Sequence, residues 1–154
     1  MAAEGVEGSA TIHIDVPPDK VYAMISDVTR MGEWSPETHT CVWIEGATGP
    51  APGARFKGSN KRGIVRWSTK PTVTVADPGK EFTFEVGSPG KEDTRWSYTM
   101  TPSGGGTELT ESFESLRYIL FFKIISPPKR RKVQLQQGVE RTLERIKQAA
   151  ERSA

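Results

Sequence analysis

Apolar and polar residues alternate over most of this chain, and this pattern predicts β-strands rather than helices. The alternation predicts strands at 9–15, 40–45, 54–59, 63–76, 81–86, 94–101 and 107–116. Turns rich in glycine and proline separate them at 46–53, 60–63, 77–80 and 103–106. Because the turns are short, the pattern predicts an antiparallel sheet.

Helical spacing of apolar residues occurs in two places. After the first strand, Pro17 and Pro18 suit a first helical turn, and an apolar stripe follows at Val21, Met24, Ile25, Val28 and Met31. The second place is 128–152, where the stripe is Leu135, Val139, Leu143, Ile146 and Ala150. A helix of that length measures roughly 30 Å or more, enough to cross a sheet. The predicted fold is therefore α+β: a curved antiparallel sheet of about seven strands, one or two short helices after strand one, and a long C-terminal helix.

One face of the predicted sheet is aromatic and aliphatic, and the other is polar. The residues expected to point inward are Cys41, Trp43, Phe56, Val65, Trp67, Val73, Val75, Phe82, Phe84, Val86, Trp96, Tyr98, Met100, Leu109 and Phe113. A single helix with modest side chains, such as Leu135, Val139 and Leu143, leaves space above such a sheet. We therefore expect an internal cavity for a small hydrophobic ligand.

Composition narrows the class of protein. The length of 154 residues predicts one domain, 1–154. With 21 basic and 19 acidic residues the net charge is +2, too small and too mixed to predict nucleic-acid binding. The start of the chain has no secretory signal, and no apolar run could span a bilayer, so we expect a cytoplasmic protein without stable membrane insertion. The single Cys41 fits a reducing compartment. The oligomeric state is left open.

Among the groups able to transfer a proton, Glu111 is the strongest candidate. Alternation places it on the inward face with Leu109 and Phe113, where a carboxyl is costly unless it is paired or used. The alternative is that a bulge or the strand end turns it to water. Tyr98 is the second candidate, although core packing is the simpler interpretation for it and for Trp96. The two histidines, His13 and His39, lie apart on a polar face and in a loop, and their spacing predicts neither catalysis nor a metal site. No cofactor is expected.

Several stretches resemble the START-like, or SRPBCC, superfamily and its polyketide cyclase/dehydrase-like group. They are 14–22, 26–28, 34–36, 53–60, 77–84, 96–98 and 105–111, so the resemblance covers nearly the whole chain. It implies the helix-grip fold, in which the sheet wraps around the C-terminal helix. It also implies a ligand such as a lipid or polyketide in the cavity, and in some members cyclisation or dehydration there.

Three functions stay open. The first is binding of a small hydrophobic molecule, as a carrier or sensor, by a cavity lined by Trp43, Phe56, Trp67, Phe82, Phe84, Trp96, Tyr98, Leu109, Glu111, Phe113, Phe121, Phe122, Leu135, Val139 and Leu143. The second is an aromatase/cyclase or dehydratase using Glu111 and Tyr98. The third is a protein- or membrane-interaction module, with peripheral contact through the apolar segment 118–125 and the basic cluster 129–132. Segment 118–125 either closes the core or forms a gate over the cavity.

Overall fold

The computed structural model describes residues 7–88, 90–116 and 128–153. Their elements, in chain order, are β1 (Glu7–Ile14), α1 (Pro18–Ile25), a 3-10 helix (Val28–Glu33), β2 (Thr38–Ile44), β3 (Arg55–Arg62), β4 (Val65–Thr69), β5 (Thr72–Asp77), β6 (Glu81–Ser88), β7 (Lys91–Ser103), β8 (Gly106–Ser115) and α2 (Pro128–Arg152).

The strands form one antiparallel sheet in the order β1-β8-β7-β6-β5-β3-β2, and the short β4 pairs with β3 outside that path. The longest ladder joins β7 to β8 without a register shift, from Thr94 opposite Ser115 to Ser103 opposite Gly106. The predicted α+β helix-grip fold is confirmed, with seven strands along the path and α2 packed across β1 and β8.

The predicted strand 63–76 is two strands, and the prediction was wrong on this point. The break falls at Lys70 and Pro71, between β4 and β5. Proline has no N–H to donate to a ladder, and it interrupts the pairing here. As a result β4 pairs with β3, whereas β5 pairs mainly with β6.

Val75 was also predicted to share the inward face of Val73, and the register corrects this. Val73 lies opposite Phe84, but Val75 lies opposite Thr83 because the register shifts between Val73 and Val75. A bulge adds one residue to one strand and so exchanges the faces of the residues that follow. Ala76, opposite Phe82, takes the inward position instead.

The predicted first helical stripe is buried, although it is divided between two short helices. α1 ends at Ile25, and Asp27 adopts an extended conformation and accepts a hydrogen bond from the Thr29 backbone N–H, which begins the 3-10 helix. Every member of the stripe is at most 9% exposed. The helix therefore breaks without exposing its apolar face.

The hydrophobic core lies between the concave face of the sheet and the helices. The predicted α2 stripe is buried throughout, and it belongs to the same cluster as Val21 and Ile25 of α1 and the inward residues of β6, β7 and β8. The sheet curves around this cluster, and α2 packs against β1 and β8 at one side of it.

Candidate functional site

The concave face is built mainly by β6, β7 and β8. Their strict alternation directs every second side chain inward, as the sequence predicts. Phe82, Phe84, Tyr98, Leu109 and Phe113 are at most 6% exposed. From α2, Leu135, Val139 and Leu143 are buried in the same cluster. The predicted inward residues of these four elements are thus brought together in one apolar region.

Aromatic rings contact one another along this face. Phe56 lies between Trp43 and Phe84, with ring centroids 5.8 and 5.2 Å apart, and Phe84 continues to Phe82 at 5.8 Å. Most of these pairs meet edge to face, the arrangement that ring quadrupoles favour. Rings in contact restrict one another, so this half of the concave face presents a stiff apolar surface.

Of the three candidate tryptophans, Trp43 and Trp96 lie at the margin of this region, whereas Trp67 lies on β4, outside the main strand path. Trp43, Trp67 and Trp96 are each partly exposed. Trp96 packs against Phe113 with ring centroids 5.6 Å apart. Phe121 and Phe122, together with the rest of segment 118–125, lie outside the described residues, so the choice between core and gate stays a prediction.

Glu111 lies in the middle of this apolar surface. β8 continues through it without a bulge, with Ala10 of β1 opposite on one side and Tyr98 of β7 opposite on the other. The side chain is 3% exposed, which confirms the predicted inward orientation. Its Oε1 atom has no hydrogen-bond partner within the described part of the chain.

Burial changes the proton affinity of both polar groups at this point. Loss of water raises the pKa of Glu111 to about 8, and a hydrogen bond with Tyr98 opposes that rise only in part. Burial first, and then the neighbouring Glu111 carboxyl, raise the pKa of Tyr98 well above its usual value. At neutral pH the carboxyl is therefore mostly protonated and carries an O–H donor.

The other titratable candidates lie elsewhere. The Cys41 thiol is buried against Met31, with 3.9 Å between the sulfur atoms, and burial raises its pKa to about 12, so it stays a thiol at neutral pH. His13 is on the polar face, where its ring nitrogens contact Glu108 at 2.8 Å and Asp15 at 2.9 Å. His39 is exposed at the irregular start of β2. Within the described residues, none of these three side chains forms a hydrogen bond with Glu111 or Tyr98.

A polar cleft of about 710 Å³ was not predicted from the sequence. It lies between the loop before β2, the turn joining β3 to β4, and α2. β3 continues to Arg62, past the turn predicted at 60–63, and the turn consists of Gly63 and Ile64. The lining residues are Gly32, Ser35, Pro36, Glu37, Thr38, His39, Lys61, Arg62, Gly63, Arg66, Gln134, Gln137, Gly138 and Arg141. The only signal in the sequence was a run of basic residues near 61–66, and it did not indicate which elements would face it.

Comparison with known proteins agrees with this architecture. Residues 6–151 match the family described as polyketide cyclase / dehydrase and lipid transport. A polyketide cyclase-like protein from Corynebacterium glutamicum, solved by solution NMR, is 33% identical, with 95% of this chain and 91% of that chain covered and a TM-score of 0.66. This chain belongs to that family, the polyketide cyclase-like group of the SRPBCC superfamily.

Two aromatase/cyclases share the fold at lower identity. The di-domain aromatase/cyclase StfQ of the steffimycin biosynthetic pathway has a TM-score of 0.76 at 15% identity, over 96% of this chain and 51% of that one. The aromatase/cyclase ZhuI from Streptomyces sp. R1128 has a TM-score of 0.70 at 15% identity, over 95% and 93%. No curated protein matches the chain. In the described segments, no helix is both long enough and apolar enough to span a membrane.

Proposed function

We propose that this protein binds a small, largely apolar molecule between its concave sheet and α2, and that Glu111 and Tyr98 hold a polar group of that molecule. The observation that carries the proposal is the buried Glu111 carboxyl in an aromatic surface, whose Oε1 atom has no hydrogen-bond partner among the described residues. Family membership supports a ligand of polyketide or lipid type.

The contacts of the described residues give the Oε1 atom of Glu111 no structural role. Leaving a buried polar atom without a partner costs about 1–3 kcal/mol, and a leucine or methionine of similar volume would pack there without that cost. A ligand carbonyl or hydroxyl that accepts a hydrogen bond from the protonated carboxyl would satisfy the Oε1 position. The group therefore suits recognition of one oxygen atom on an otherwise apolar molecule.

The surrounding rings set the shape that such a ligand needs. Phe82, Phe84 and Phe113 lie on the same face as Glu111 and are fixed by contacts with one another or with Trp96. Flat aromatic surfaces stack well on fused or conjugated rings. The favoured ligand is therefore a planar or folded polyketide-like molecule with at least one oxygen.

Native mass spectrometry of freshly purified protein tests this proposal. We expect a bound small molecule that denaturation releases, and saturable binding of a hydrophobic fluorescent dye that the molecule displaces. Glu111→Leu fills a similar volume without a hydrogen-bond donor and should weaken binding of an oxygen-bearing ligand, and Trp96→Ala should weaken binding of the dye. Glu114→Leu, on the outer face of the same strand, is the control. Absence of both a bound molecule and saturable dye binding would refute the proposal.

The alternative function is catalysis of cyclisation or dehydration, and the proton affinity of Glu111 favours it as a second candidate. A carboxyl with a pKa of about 8 can accept and return a proton near neutral pH. Tyr98 would orient it, and the apolar walls would hold a flexible chain in a folded conformation. Turnover of a synthetic poly-β-keto substrate, lost in Glu111→Gln and kept in Glu114→Gln, would establish an enzyme. Ligand binding without turnover would leave a carrier or sensor.

The third function, an interaction module, rests on segment 118–125 and the adjoining basic cluster. If the segment is a gate, its amide exchange should slow when ligand binds. Phe122→Ala should then change the ligand on- and off-rates with little loss of stability. Protection in the empty protein, with a stability loss of ~3–5 kcal/mol in Phe122→Ala, would identify the segment as core.

A further inference from the structure

The polar cleft has a strong excess of positive charge. Four of its lining residues are basic, namely Lys61, Arg62, Arg66 and Arg141, and one is acidic, Glu37. The basic residues come from two walls, since the first three lie around the β3–β4 turn and Arg141 lies on α2. Like charges that face each other across a cleft repel, and an anion between them relieves that repulsion.

The one acidic group is already neutralised. Glu37 accepts two hydrogen bonds from the Arg131 guanidinium, at 2.7 and 2.9 Å, and Arg62 lies 3.8 Å from the same carboxylate. This bidentate pair joins the loop before β2 to the start of α2. The side chain of Glu37 is only 21% exposed and that of Arg131 only 16%. Glu37 therefore has no free charge with which to neutralise the other cations of the cleft.

Lys61, Arg66 and Arg141 make no side-chain ion pair with any residue of the described ranges. Neutral donors accompany them. The Ser35 hydroxyl accepts from the backbone N–H of Thr38 at 3.0 Å and so has its own proton to donate, and Gln137 adds an amide on α2. Such a combination of solvent-exposed cations and hydroxyl or amide donors suits a multivalent oxyanion.

We propose that this cleft binds a phosphate group, carried by a soluble ester or by a lipid headgroup. Phosphate fits better than a carboxylate because it has two negative charges and several oxygens for donors on opposite walls. The proposal does not depend on occupancy of the interior region around Glu111, which a separate set of residues lines.

NMR titration of the full chain with inorganic phosphate at low salt tests the site. Saturable shifts are expected at the amides of Thr38, Gly63 and Gly138, with acetate binding about tenfold or more weakly. Arg141→Gln should weaken phosphate binding by about tenfold or more. Lys57→Gln, an exposed charge on β3 outside the cleft, should leave binding unchanged. Arg66→Gln provides a second test if Arg141→Gln fails to fold.

Two further arms identify the source of the phosphate. If glycerol 3-phosphate competes with inorganic phosphate and the protein does not bind vesicles of phosphatidic acid, the phosphate is carried by a soluble ester. Binding to phosphatidic acid vesicles but not to phosphatidylcholine vesicles, lost in Arg141→Gln, indicates a lipid headgroup. The proposal is overturned if phosphate gives no saturable shifts, if acetate binds equally well, or if both arginine variants bind phosphate as tightly as Lys57→Gln does.

Discussion

Replacing Glu111 with glutamine should make the protein more stable at high pH, and the effect should disappear at low pH. The folded protein holds this carboxyl at a pKa of about 8, against 4.5 in the unfolded chain. Between these values the unfolded chain has released the proton and the folded protein has kept it. Stability must therefore fall as pH rises through this interval.

The magnitude follows from the same two values. Each pH unit within the interval costs about 1.4 kcal/mol of unfolding free energy. Between pH 5 and pH 8 the loss is about 3–4 kcal/mol once the ends of both titrations are included. Glutamine has the same shape and no charge to lose, so Glu111→Gln should not show this loss. The stability advantage of the variant should grow by about 3–4 kcal/mol between pH 5 and pH 8.

Urea denaturation followed by tryptophan fluorescence at pH 5, 6, 7 and 8 measures this difference. Other titrating groups, His13 included, are present in both proteins and cancel in the comparison. Glu114→Gln, on the half-exposed outer face of the same strand, controls for loss of a carboxylate and should show no growing advantage. A difference independent of pH would refute the raised pKa. A variant less stable than the parent at pH 8 would mean that Glu111 is ionised and paired in the folded protein.

Three further results are expected from the same denaturation measurement. Gly32→Ala should destabilise the protein by about 1–3 kcal/mol because the added Cβ would collide with the backbone carbonyl of His39. Gly49→Ala, where the added Cβ would meet open space, should have little effect. Equal stability of the two variants would contradict the close approach at Gly32. Phe113→Ala should cost about 3–5 kcal/mol, and a loss below 1 kcal/mol would mean that the ring is not packed as described. His13→Gln should lose stability at pH 5.5 but little at pH 9. Glu108 and Asp15 raise the pKa of His13, so its contribution is complete below pH 6.5 and is lost as pH rises through the raised value; the same loss at both pH values would refute this.

The sequence alone determined the fold and the composition of the concave face. Alternation is a local property with a period of two, so it placed Phe82, Phe84, Tyr98, Leu109 and Glu111 correctly wherever a strand ran without a bulge. The apolar stripe of α2 was equally readable, because helical period and burial coincide there. The break between β4 and β5 is also a local property, because Pro71 is part of the sequence and cannot donate to a ladder.

Only the tertiary structure decided the points that depend on long-range pairing. The bulge between Val73 and Val75 arises from the register of β5 against β6, and no periodicity in β5 itself predicts it. The pKa of Glu111 depends on the water excluded by elements far apart in sequence. The polar cleft is lined by elements far apart in sequence, and its Glu37 pairs with Arg131, 94 positions further along the chain. Local sequence determines which face of a strand or helix a side chain occupies. The packing that brings charges from distant parts of the sequence within 3 Å of each other is a property of the whole fold.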